Sequence, residues 1–125
     1  MKILLDTHAF LWWLGAPDSL SGPAQSAIRE RANEVFVSAA TAWEIVIKRA
    51  LGKLRCPENL EEVIERNNFA PLPISVPHAL AAGALPAIHA DPFDRMLIAQ
   101  ASVEGLVLIT RDESIRRYPI PTLPA

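Results

Sequence analysis

Three short apolar runs, Lys2 to Leu5 (KILL), Val35 to Ser38 (VFVS) and Leu106 to Thr110 (LVLIT), constrain the fold more than any other feature of this chain. They lack the charged residue at every second position that a half-wet sheet would show. Runs of this kind suit strands covered on both faces. Between them lie stretches with helical patterning. Strands that alternate with helices pair in parallel, since each crossover returns the chain to the same end of the sheet. An α/β fold is therefore expected, with an open, mostly parallel sheet and helices on both sides.

The punctuation supports that plan. Thr7 to Leu14 (THAFLWWL) starts a helix that Gly15, Ala16 and Pro17 end. Ser21-Gly22-Pro23 opens the next, which is expected to run to about Asn33. Ser38 caps a helix from Ala39 to about Leu51, stopped by Gly52, and an acidic first turn opens another from about Glu58 to Asn67. Pro71 to Ser75 reads as an edge strand or extended link, because proline cannot donate to a ladder. Helices follow over Val76 to Leu85 and Phe93 to Glu104, the second closed by Gly105. Glu113 to Arg117 reads as a turn of helix and Ile120 to Leu123 as a last extended piece. No repeat or linker interrupts the 125 residues, so residues 1–125 form one expected domain.

Carboxylates stand where strands or their following helices begin and end. Asp6 follows the first strand directly, and Asp112 lies two residues beyond the strand ending at Thr110. Glu44 sits early in the helix after the second strand, and Asp94 opens the helix before the last long one. In open parallel sheets ligands bind outside the carboxyl ends of the strands, so four acids from four elements are expected to meet at one edge. Each alone has a plainer explanation: Asp91 or Asp94 as a helix cap, Asp112 as a turn residue. Together they ask for a hard divalent cation, which relieves their repulsion and binds through oxygen. Mg²⁺, with Mn²⁺ as a substitute, is the expected cofactor, and no group of Cys and His suits zinc. Hydrolysis of a phosphodiester is the chemistry that such a centre performs.

The net charge of -2 offers no general attraction to nucleic acid, so local cations must hold an RNA backbone. Lys48, Arg49, Arg95 and Arg111 are the candidate RNA contacts, the first two in a basic run with Lys53 and Arg55, the others beside proposed ligands. Of His8, His78 and His89, His8 is the best placed because it adjoins Asp6. Cys56 is the single cysteine, read as structural. No apolar run approaches the roughly 20 residues of a membrane span, and MKILLDTH lacks secretory features, so a cytoplasmic protein is expected. A phosphoacceptor domain of receiver type would need a second acid beside the first and an Asp after a middle strand. Thr7 and Ser38 occupy those places. A catalytically silent binding module remains the other rival, and the intact acids count against it.

Four blocks, LLDTHAFLWWL, SAATAWEIVIKRALGKL, HADPFDRMLIAQA and GLVLITRD, together resemble in order and spacing the PIN-domain family, and most closely VapC-type toxins of toxin-antitoxin modules. That resemblance implies a three-layer α/β/α sandwich and a Mg²⁺- or Mn²⁺-dependent endoribonuclease. It further implies a homodimer inhibited by a cognate antitoxin. The family's acidic positions fall on Asp6, Glu44, Asp94 and Asp112, and its accompanying hydroxyl falls on Thr110. Asp91 stays an alternative ligand, Asp94 being favoured by its position relative to Gly105. Trp12 is then expected in the core and Trp13 on a dimer or antitoxin surface.

Overall fold

The computed structural model describes all residues, 1–125. Five strands form one sheet in the order β3-β2-β1-β4-β5, every neighbouring pair parallel. They are β1 (Lys2–Leu5), β2 (Glu34–Ser38), β3 (Ala70–Leu72), β4 (Val107–Thr110) and β5 (Thr122–Pro124). The helices are α1 (Thr7–Gly15), α2 (Gly22–Arg29), α3 (Ala39–Ala50), α4 (Leu60–Arg66), α5 (Val76–Ala84), α6 (Pro92–Glu104) and α7 (Glu113–Arg116), with a short 3₁₀ turn at Pro17–Ser19. Pro71 does lie on an edge strand, as its missing N–H requires.

The central strands are buried on both faces, and side-chain alternation divides them between two cores. Ile3 and Leu5 of β1 join Val35, Val37 and Ile109 in a cluster with Phe10, Ala24, Ile45, Ile64 and Phe69. Leu4 points the other way, with Leu108, against Leu97, Ile98 and Ala101 of α6 and Ile115 and Tyr118 beyond it. A sheet with helix-backed cores on both faces is the expected three-layer sandwich. Filling each such position with a Leu or Ile contributes about 1.5 to 3 kcal/mol, which is why charge is confined to the exposed first residues Lys2 and Glu34.

Helix ends differ from expectation where side chains intervene. α2 stops at Arg29 rather than near Asn33, whose amide side chain turns back to donate to the Ala27 carbonyl at 2.9 Å. α4 begins at Leu60 rather than Glu58, since the Asn59 side chain binds Glu62 instead of capping the backbone. Gly105 adopts φ 67°, ψ 45°, and the Leu106 N–H returns 2.9 Å to the Ala101 carbonyl. This left-handed turn lets β4 start immediately beneath α6.

From β1 the chain moves outward to β2 and β3, then crosses back to place β4 on the other side of β1. The order reverses between β1 and β4. At such a switch point the connections leave in opposite directions and open a crevice beyond the strands' carboxyl ends.

Candidate active site

Asp6 and Asp112 follow the two strands that flank the switch point. Asp6 also caps α1, its Oδ1 accepting the Ala9 N–H at 2.8 Å, which fixes the carboxylate where the strand ends. Asp112 caps α7, with Oδ1 accepting from Ser114 N at 2.7 Å and Ile115 N at 3.3 Å, so Oδ2 is left facing the crevice. Thr110 lies fully buried between them: it hydrogen-bonds the Asp6 carboxylate, and its Oγ1 accepts the Asp112 N–H at 3.1 Å.

Glu44 comes from α3 and is 5% exposed. Thr7 Oγ1 donates to its Oε1 at 2.6 Å, and Lys48 Nζ donates to its Oε2 at 2.7 Å. The Thr41 hydroxyl lies 3.2 Å from that of Thr7. Asp94 comes from the first turn of α6. Asp91 is the cap of that helix, its Oδ1 accepting the Asp94 N–H at 3.0 Å.

These side chains surround one cavity of about 340 Å³, walled by Asp6, Thr7, His8, Trp12, Glu44, Lys48, Asp91, Asp94, Arg111, Asp112 and Ile115. Five carboxylates face two cations. The imbalance is visible in the proton affinities. Burial, aided by the charge of Asp91, pushes Asp94 up to about 6 from an ordinary 3.8. Burial also raises Asp6, against the opposing hydrogen bonds from Thr110 and Ala9. The hydrogen bond to Glu44 raises Lys48, holding its proton. A larger cleft of about 690 Å³ lies between α4 and β3, but its lining is mostly apolar and carries only Glu61 and Glu65 as charges. The smaller cavity is the one equipped for chemistry.

Oxygen donors in excess of cations, without a cysteine among them, fit a hard divalent ion. Asp6, Asp94 and Asp112 present carboxylate oxygens with capacity for it. Glu44 has each oxygen engaged by one donor and retains further lone pairs toward an ion or its water.

The structure therefore gathers Asp6, Glu44, Asp94, Asp112 and Thr110, together with Asp91. The four cations separate. Lys48 reaches the cavity as the partner of Glu44. Arg111 lines it too, but its guanidinium lies 4.3 Å from the Trp12 ring centroid and donates to the carbonyls of Ser19 and Ala125. Arg49 turns away to the Pro57 carbonyl. Arg95 is engaged by the chain itself: it donates to the carbonyls of Ala82, Leu85, Pro86 and His89, at 2.9 to 3.2 Å. Four backbone oxygens converge on it, which gives it a structural engagement that its place beside Asp94 did not announce.

Trp12, half-buried, packs against the core and also walls the cavity, and Trp13 packs on Phe69 and donates to Asn67 Oδ1 at 3.0 Å. His8 also lines the cavity. Sequence reasoning ranked His89 below His8, yet its Nε2 lies 2.8 Å from Asp94 Oδ2 and 3.7 Å from Asp112 Oδ2. The available signal was its place two residues before the cap of α6, from which a side chain folds back over the helix's first turn.

A family model described as PIN domain matches residues 3–121. The chain is 35% identical over 129 aligned residues to Ribonuclease VapC22 of Mycobacterium tuberculosis, covering 95% of each protein. Among solved structures it is similar to a chain of VapBC2 from Rickettsia felis bound to a DNA fragment from their promoter, with a TM-score of 0.72, 17% identity and 98% of both chains covered. A toxin-antitoxin complex from Klebsiella pneumoniae matches with a TM-score of 0.68 and 19% identity, covering 98% of this chain and 96% of that one. With the family's match covering the switch point and every acid in the cavity, this chain belongs to the PIN-domain family.

Proposed function

We propose that this protein is a divalent-metal-dependent endoribonuclease and the toxin of a toxin-antitoxin pair. The observation that carries the reading is the convergence of Asp6, Glu44, Asp94 and Asp112 on one cavity at the switch point. The substrate class rests on the relative at 35% identity, which is a ribonuclease by name. The partner rests on the VapBC and toxin-antitoxin complexes that share the fold.

Within that reading each residue has a definable task. Asp6, Asp94 and Asp112 hold Mg²⁺ or Mn²⁺, with Glu44 completing the set directly or through water. Bound there, the ion supplies Lewis acidity toward a phosphodiester and lowers the pKa of water. Thr110 fixes the Asp6 carboxylate and the backbone that leads to Asp112. Thr7 and Lys48 orient Glu44, and Lys48 adds positive charge at the rim for an RNA phosphate. Arg111 stiffens the opposite wall through Trp12.

An antitoxin and a second copy of the chain are the proposed protein partners. Trp43, Val46, Ile47 and Leu51 on and after α3, with Val76 and Leu80 on α5, are exposed apolar side chains that such partners would cover. No helix is long and apolar enough to cross a membrane.

Incubating the purified chain with mixed cellular RNA tests the reading. Internal cleavage is expected with Mg²⁺ or Mn²⁺, none with EDTA and none with Asp6→Asn under either ion. Cleavage that persists in EDTA would remove the metal from the mechanism.

A further inference from the structure

We propose that His89 is a nitrogen ligand of the same ion, and that it biases the centre toward Mn²⁺ over Mg²⁺. The inference rests on the metal-dependent reading above. His89 Nε2, an oxygen of Asp94 and an oxygen of Asp112 all lie within 4.8 Å of one another. Two of those separations are 2.8 and 3.7 Å. Ligands of one octahedral ion at bonds of about 2.1 Å sit about 3.0 Å apart when adjacent and about 4.2 Å apart when opposite. The 2.8 Å contact is a hydrogen bond that a shared ion would replace, and the 3.7 Å separation falls between the adjacent and opposite spacings, so side-chain adjustment without movement of the braced backbone brings the three donors to one small ion.

The loop carrying His89 is held by means that have no other evident purpose. The Tyr118 hydroxyl accepts the His89 N–H at 2.9 Å and donates to the Pro86 carbonyl at 2.8 Å. Arg95 donates to the carbonyls of Pro86 and His89 on the same loop, and to Ala82 and Leu85 just before it. An arginine and a tyrosine thus brace the loop over residues 86–89 and aim one imidazole at two carboxylates. A centre of that precision is what ligation needs. Mg²⁺ binds almost exclusively through oxygen, whereas first-row divalent metals accept imidazole, so this nitrogen favours Mn²⁺, the first-row ion nearest Mg²⁺ in its demand for oxygen, over Mg²⁺ itself.

Binding of Mn²⁺ and of Mg²⁺ to the full chain, measured by calorimetry at pH 8, tests the preference in the wild type and in His89→Gln. Pulsed electron paramagnetic resonance of the Mn²⁺ complex tests the ligand itself. The wild type is expected to show coupling to a directly bound ¹⁴N that His89→Gln lacks. Its ratio of Mn²⁺ to Mg²⁺ affinity is expected to fall about 10-fold or more in the variant, mostly through Mn²⁺. Because Tyr118 and Arg95 hold backbone atoms, His89→Gln keeps the loop, which its thermal melt checks. Mn²⁺ bound by the wild type without nitrogen coupling, or equal loss for both ions, overturns the role of His89 and leaves the acidic site standing. Failure of the wild type to bind either ion overturns both.

Discussion

Thr7 Oγ1 lies 2.6 Å from Glu44 Oε1, joining the first residue of α1 to the middle of α3 across the mouth of the sheet. The bond fixes the one acid of the site that arrives from α3, the helix following β2. Thr7→Val keeps the shape and removes the donor, leaving a buried carboxylate oxygen short of a partner at a cost of about 1 to 3 kcal/mol. Cation affinity is expected to drop at least 10-fold, as when an outer partner of a ligand is removed, and Thr7→Ser to restore most of it. Calorimetric titration with Mn²⁺ beside a thermal melt measures both. Unchanged affinity in Thr7→Val would detach Glu44 from the ion.

Asp94 predicts a stability change that runs against its importance. Its folded carboxyl keeps a proton up to about pH 6, while an unfolded aspartate releases it near 3.8. That difference favours folding below pH 3.8 and is lost as pH rises through 6, leaving a charged Asp94 as a liability at neutral pH. Asp94→Asn is therefore expected to melt higher than the metal-free wild type at pH 7.5, by the equivalent of about 1 to 2 kcal/mol after allowance for partial exposure. The gap closes toward pH 4, and RNA cleavage is absent throughout. A variant that melts lower at pH 7.5 would make Asp94 a structural ion-pair member instead.

How much of this was legible beforehand follows from what each signal depends on. The sheet and its two helix layers were readable because burial on both faces leaves apolar runs such as KILL and LVLIT, and because Gly105 and Pro71 mark backbone needs that few residues meet. That Asp6, Glu44, Asp94 and Asp112 share one cavity was readable because a parallel topology carries strand ends, and the ends of the helices beside them, to one edge. Arg95 and His89 were not. Adjacency to Asp94 suggested that Arg95 faces RNA, yet its direction is set by four carbonyls from residues 82–89, a tertiary arrangement with no periodic trace. For the same reason His89 looked like a loop residue: nothing local reveals that Tyr118, 29 positions later, holds its N–H.

The Arg95 finding makes a prediction of its own. Arg95→Met keeps the aliphatic stem and removes every donor, so carbonyls that it had satisfied are left unpaired. A loss of about 2 to 4 kcal/mol is expected by urea denaturation, together with weaker Mn²⁺ binding as the loop of His89 loosens. For an inactive pair compared on an Asp6→Asn background, the slope of RNA affinity against salt should be unchanged, since no phosphate contact is removed. A slope smaller by about one unit would return Arg95 to the RNA interface.

Cation binding should itself stabilise the fold, because it converts mutual repulsion among five buried or half-buried acids into ligation. An ion present at about 100 times its dissociation constant adds about 2.7 kcal/mol. For a chain of 125 residues that raises the melting temperature by roughly 10 °C at pH 7.5. Protons compete for the same oxygens: Asp94 is half protonated at about pH 6, and burial raises Asp6 as well. The cation-induced shift should accordingly shrink as pH falls through 6. It should vanish in Asp6→Asn, and in Asp94→Asn it should be small and lose its dependence on pH near 6. Differential scanning calorimetry with and without 5 mM or so of MnCl₂, on the order of a saturating dose for a weak oxygen site, reads all three. A full shift retained in Asp6→Asn would place the ion elsewhere on the protein, and the acids at the switch point would then need another explanation for their shared cavity.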